Sequence, residues 1–285
     1  MKLRSGHAQN LRSRRPPLVH RFPRRGHAGA ARVRRTHVLG GRSLRQPLTA
    51  AEVSEILTLS DTGTLPSDPS LPRLETTAAR LNRITEILVH HKDWRATFAL
   101  GLDTLEQAAV LPLQRTESSF VDPDYAHRLS IEVMNQFLLN VHGEFGAGHV
   151  EPRWARHFAL AHDCNLSLGR VAMAGYNAHF TVDMPRAVAA IGSRPDNARD
   201  YFTVLDTIGR STNVIVDRTK GVFGNALGPA LDALSGNGFA GAGFSGFNVV
   251  NFGNGLALQN PNLRAAAEVE IGALWSSLDL AVQAV

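Results

Sequence analysis

From Leu74 onward the apolar residues of this chain recur at spacings of three and four, a period that few folds other than packed helices can use. Ala79, Leu81, Ile84, Ile87 and Leu88 set one buried stripe on a helix of about 75–92. A second helix is predicted from Trp94 to Val110, stopping at Pro112, since proline has no N–H and collides with the carbonyl one turn back. Asp122-Pro123 reads as an N-cap followed by proline at the first helical position, opening a helix with Leu129, Val133, Met134, Phe137, Leu138 and Val141 inward. Glycines in 143–148 end it. Glu151-Pro152 starts another helix, with Trp154 and Phe158 one turn apart in the core. A central helix over 168–191 is expected to kink or break at Pro185. A further helix starts at Pro195 and runs to 222, with Phe202, Leu205, Ile208 and Val216 inward. The expected fold class is all-α, a multi-helix bundle.

The segments outside this pattern set the domain organisation. Thr49 and Glu52, three residues apart, form a capping box for a helix starting near residue 50, and residues 61–73 read as a linker. Over 235–260 the composition shifts to Gly, Asn and Phe. This predicts a glycine-rich loop insertion, with a short strand at 247–252 as an option and a lid over a pocket as its functional reading. Residues 262–285 close the chain as an amphipathic helix with Ile271, Leu274, Trp275 and Leu278 on one face. The expected division is a tail over 1–48 and a helical domain over 49–285.

The net charge of +5 hides a segregation. Residues 1–48 hold Lys2, twelve arginines and no acid, so that of the chain's 30 basic groups 17 face all 25 acids in the remainder, about −8. The tail lacks an apolar run for a signal peptide, and Pro16, Pro17 and Pro23 interrupt any helix. Three readings are open for it: a disordered arm, a tether to nucleic acid or another anionic surface, and a transit peptide. Cys164, the one cysteine, can form no internal disulfide and reads as a buried structural thiol. No run of 18 apolar residues predicts a membrane span, and a cytoplasmic location is the expectation.

Chemistry concentrates in 174–185. His179 and Asp183, four residues apart in an apolar helix-compatible run, point the same way. One reading is a zinc or iron site in which His179 and Asp183 are completed by Asp122, His127 or His162 from other helices. Another is a buried polar cluster in which the two satisfy each other while Asn177 bonds a neighbouring turn. The third is a metal-free acid–base pair, the carboxylate orienting the imidazole. No phosphate-cradling glycine loop or nucleophile elbow accompanies them.

The run Gly175-Tyr176-Asn177-Ala178-His179, with Asp183 and Pro185, resembles the DUF5995 family, mainly actinobacterial helical proteins of unknown function whose pattern is Gly-Met-Asn-Ala-His-Ile followed by Asp-Leu-Pro. Phe120 with Asp122, Arg128-Leu129, Asn135, Trp154 with Phe158, and Asp200 agree in order, so the resemblance covers about 75–225 and the end near Trp275. It implies a helical fold and no established activity. The same run is more weakly similar to the metal-binding helix of zinc-dependent phospholipase C and related nucleases. That pattern wants a histidine shortly after the proline and a later His-xxx-Glu, but Arg186 and Ala187 follow Pro185 and no histidine lies beyond 179, which excludes a trinuclear site. Three functions follow as expectations. The first is a helical protein whose Asn/His/Asp cluster, with Asn135, Tyr176 and Asn177, lines a small-molecule pocket. The second is a metal-dependent phosphoester hydrolase with His179 and Asp183 as catalytic ligands. The third is an anionic-polymer binder acting through its tail.

Overall fold

A computed structural model of the chain describes residues 46–65, 70–163, 165–227 and 242–283. The arginine-rich segment up to residue 45 and Cys164 lie outside the described residues, as do the expectations attached to them. The described elements belong to one unit that begins at Ser43, and they include helices and turns but no strand.

Helix α1 (Ala50–Ser60) starts with the predicted capping box: the Thr49 hydroxyl accepts from the Glu52 N–H, and the Glu52 carboxylate accepts from the Thr49 N–H. Helix α2 (Ser70–His90) begins five residues before its expected start, which shortens the linker. Helix α3 (Ala96–Leu105) does not stop at Pro112. It passes through a π-helical turn, π1 (Glu106–Val110), and continues as α4 (Leu111–Gln114) with the proline in its first turn. Helix α5 (Pro123–Gly146) has Asp122 as N-cap, its side chain accepting from the Tyr125 N–H at 2.9 Å. Asp200 in turn accepts from the N–H groups of Val121 and Asp122, which ties this turn to a later helix.

Helices α6 (Pro152–His162) and α7 (Leu168–Ala178) pack on each other, and α7 leads into a second π turn, π2 (His179–Asp183), then α8 (Met184–Ala190). The predicted 195–222 helix is two, α9 (Ala198–Arg210) and α10 (Thr212–Phe223); Leu205 and Val216 are buried as expected, while Phe202 and Ile208 are only partly so. The core gathers around Phe98, Phe137, Trp154 and Phe158, each at most 2 % exposed. Phe98 is its hub, with ring centroids 5.0 Å from those of Phe137 and Trp154.

The glycine-rich stretch corrects the expectation of a loop or strand. Residues 235–241 lie outside the described residues, but Ala242–Gln259 form an eighteen-residue helix, α11, which packs along α8. Tertiary packing overrides composition here. A Cβ on Gly255 would lie 2.3 Å from Val188 Cγ1 and 2.9 Å from the Pro185 carbonyl oxygen, so a bare Cα is what lets α11 approach α8. Asn248, Asn251 and Asn254, at helical spacing, are all buried. Helix α12 (Arg264–Gln283) follows, with Ile271 buried but Leu278 exposed, where Asp279 takes the inward position instead.

Two glycine substitutions on α11 should therefore act in opposite directions. Gly255→Ala overpacks the α8 contact and should cost about 1–3 kcal/mol. Gly253→Ala, where a Cβ meets nothing within 4 Å, should gain about 0.5–1 kcal/mol from helix propensity. Denaturant unfolding of both variants checks this, and a loop at 253–255 would give neither effect.

Candidate functional site

Pro185 dictates the backbone on which the site is built. With no N–H it cannot donate to a carbonyl of the preceding turn, and in place of a break the chain inserts the wider π turn, in which the Met184 N–H bonds the His179 carbonyl. The Phe180 carbonyl, five residues before the proline, accepts instead from the Asn251 amide at 2.8 Å. Thr181 Oγ1 donates back to the Asn177 carbonyl at 2.5 Å. All five residues of π2 are buried.

Within this turn His179 Nδ1 and Asp183 Oδ2 are 3.3 Å apart, as their spacing predicts. The carboxylate has a further partner: the Trp154 indole N–H donates to both its oxygens, at 3.0 and 3.1 Å. Burial pushes the Asp183 carboxyl upward, and the bonds from His179 and Trp154 pull it back. An ionised Asp183 keeps the proton on Nδ1 and leaves Nε2 as an acceptor, and among the described residues no hydrogen bond engages that nitrogen. The His179 ring packs on Phe98, centroids 4.9 Å apart. Gly175 permits this approach, since a Cβ there would come within 2.7 Å of Phe98 Cβ.

His179 borders a small cavity of about 50 Å³ lined by α3, π1, α5, α7, π2, α8 and α9. Its walls are mainly apolar, including Leu129, Met134, Met184 and Leu205, and the carboxyl among the lining groups is that of Glu106 on π1. Glu106 is 4 % exposed, and among the described residues its Oε1 finds no hydrogen-bond partner. Burial, with the Asp103 charge adding to it, pushes the Glu106 carboxyl up to about 8, so it holds a proton at neutral pH. A second cavity of about 10 Å³ adjoins the first across Leu105, Tyr176, Phe180 and Ile208.

The remaining predicted residues divide. Tyr176 lines the cavity; Asn177 instead donates to the Trp275 carbonyl on α12 at 3.0 Å, and buried Asn135 is not part of the lining. The proposed metal ligands are not brought together. Asp122 caps α5, His127 lies between the Ser70 hydroxyl and the Gln114 carbonyl, and His162 pairs with Glu144 at the surface. Among the described residues no group of three or more His, Cys, Asp or Glu is arranged to hold a metal ion. Spacing within one helix predicts the His179–Asp183 pair, but the other three ligands depended on a helix arrangement that the fold does not adopt. Two participants were missed, Trp154 and Glu106. Trp154 reads as core, although a buried indole N–H demands an acceptor. Glu106 stands six residues before Pro112 just as His179 stands six before Pro185, a recurrence visible in the sequence.

The sequence profile of the family of unknown function DUF5995 matches residues 74–238. The match takes in more than half of the chain, including both π turns and the cavity, and the chain belongs to that family. No curated protein and no solved structure matches it. Among the described residues no helix is long and apolar enough to cross a membrane.

Two measurements test the electrostatics. His179→Ala removes one of the two donors to a buried carboxylate and should cost roughly 1–3 kcal/mol in denaturant unfolding, whereas an imidazole in an open cleft would cost nothing. Glu106 titrates near 8 when folded and near its ordinary 4.5 when unfolded, so between these values the folded protein holds a proton that the unfolded chain has lost. Its contribution should lower stability by about 1.4 kcal/mol per pH unit as pH rises through that window. Glu106→Gln should remove this slope, and unchanged pH dependence would show that the carboxyl is solvated.

Proposed function

We propose that the protein binds a small, mainly apolar molecule in the cavity between π1 and π2, with His179 as its oriented polar contact. The observation that carries this reading is the meeting of an imidazole, fixed from behind by Asp183, which Trp154 holds in turn, with a small apolar space. Sites for small ligands have this composition, apolar walls with a few placed polar groups. Two of the four methionines, Met134 and Met184, line the space. Titration with short-chain alcohols should therefore shift the Met134 and Met184 ε-methyl NMR signals saturably while Met173, which is not part of the lining, stays still. Uniform or non-saturating shifts would remove the proposal. The hydrolase reading loses its ligand set, since Asp122, His127 and His162 are engaged elsewhere.

The charge segregation supports a second activity. Thirteen basic groups without an acid in residues 1–48 favour an anionic polymer through counterion release. Deleting these residues should abolish DNA retention that falls steeply with salt, and retention that persists after deletion would refute a role for the tail.

A further inference from the structure

We infer that the molecule taken up by this cavity is a small primary amine, held as its ammonium ion with Glu106 as counter-charge and His179 Nε2 as second acceptor. The inference rests on the pocket reading above and names its ligand class.

Four observations converge on that class. The ionisable groups of the lining are Glu106, His179 and Tyr176, with no lysine or arginine, so no permanent cation in the wall would neutralise a buried carboxylate or phosphate. Glu106 Oε1 is buried and has no donor among the described residues, and a buried acceptor is ordinarily matched by one. His179 Nδ1 is engaged by Asp183, which leaves Nε2 as the ring atom available to a ligand N–H. Phe98, Tyr176 and Phe180 line the same space, and their ring faces attract a cation. Size narrows the choice further. About 50 Å³ is room for roughly three to five waters, which suits a four-carbon amine.

The proton balance is definite. Glu106 is protonated before binding, with the Asp103 charge behind it and the His179–Asp183 pair on the neighbouring turn. When an alkylammonium enters, the Glu106 O–H proton leaves to solvent and the resulting carboxylate pairs with the ligand cation. No bond of the amine is made or broken. Below about pH 8 each amine bound thus releases close to one proton.

The test is titration of the full chain at pH 7 with n-butylamine, n-butanol and sodium butyrate, read on the Met134 and Met184 methyl signals. Calorimetry in two buffers of different ionisation enthalpy then counts protons on the unmodified protein. We expect butylamine to bind at least about tenfold more tightly than butanol, butyrate not to bind, and one proton to be released per amine. Glu106→Gln should bring butylamine down to the level of butanol. Equal binding of amine and alcohol, preference for butyrate, or amine binding without proton release would overturn the ligand class while leaving the pocket. If none of the three binds, the pocket reading falls and the amine with it.

Discussion

A proline inside a helix leaves a carbonyl without its donor, and the way this chain absorbs that loss at Pro185 organises the rest of the site. The π turn keeps the helix continuous, so His179 and Asp183 stay on one face and stay buried. The Phe180 carbonyl, five residues before the proline, accepts from outside the helix, from the Asn251 amide. A backbone deficit in one element is thus met by a side chain from another, 71 residues later. The closeness this requires explains why Gly255 sits one turn further along α11, against Val188 and the Pro185 carbonyl. The composition that reads as a flexible loop is the composition a close helix contact needs.

The partners of the motif lie both within the segment that defines the family and beyond its end. Trp154 fixes Asp183 from within residues 74–238, whereas Asn251 and the Trp275 carbonyl that receives Asn177 lie beyond it. Helices α11 and α12 therefore complete the surroundings of His179 although they stand outside the family profile. The acidic partner is held by one indole and one imidazole, a sparse set of donors for a buried carboxylate, which is why burial outweighs hydrogen bonding and pushes its carboxyl upward.

Much of this architecture is legible in the sequence, and the misses share a cause. The capping box at Thr49, the Asp122 cap, the burial of Trp154 and Phe158, and the His179–Asp183 contact all follow from spacings within one turn. Such relations are fixed by helix geometry alone. Pro112 and Gly255 were misjudged because local propensity is the weaker force once a helix has a partner surface. Trp154 reaching Asp183, and Glu106 facing the cavity of His179, depend on which helices become neighbours, and no periodicity encodes that.

The two π turns carry the closest thing to a rule in this molecule. Each opens on a buried ionisable residue, Glu106 or His179, runs five residues, and gives way to an apolar residue and a proline. A π turn is an unfavourable way to build a helix and recurs at functional positions for that reason. Here both turns supply walls to one small cavity, and their leading side chains are the acid and the imidazole within it. Packing alone would be served better by leucine at 106, since a carboxyl with an unpartnered oxygen costs stability at neutral pH. A buried acid kept at that cost, lining the same cavity as an imidazole held by its own carboxylate, is the arrangement on which the proposed ligand rests, since such a ligand would donate a hydrogen bond to both.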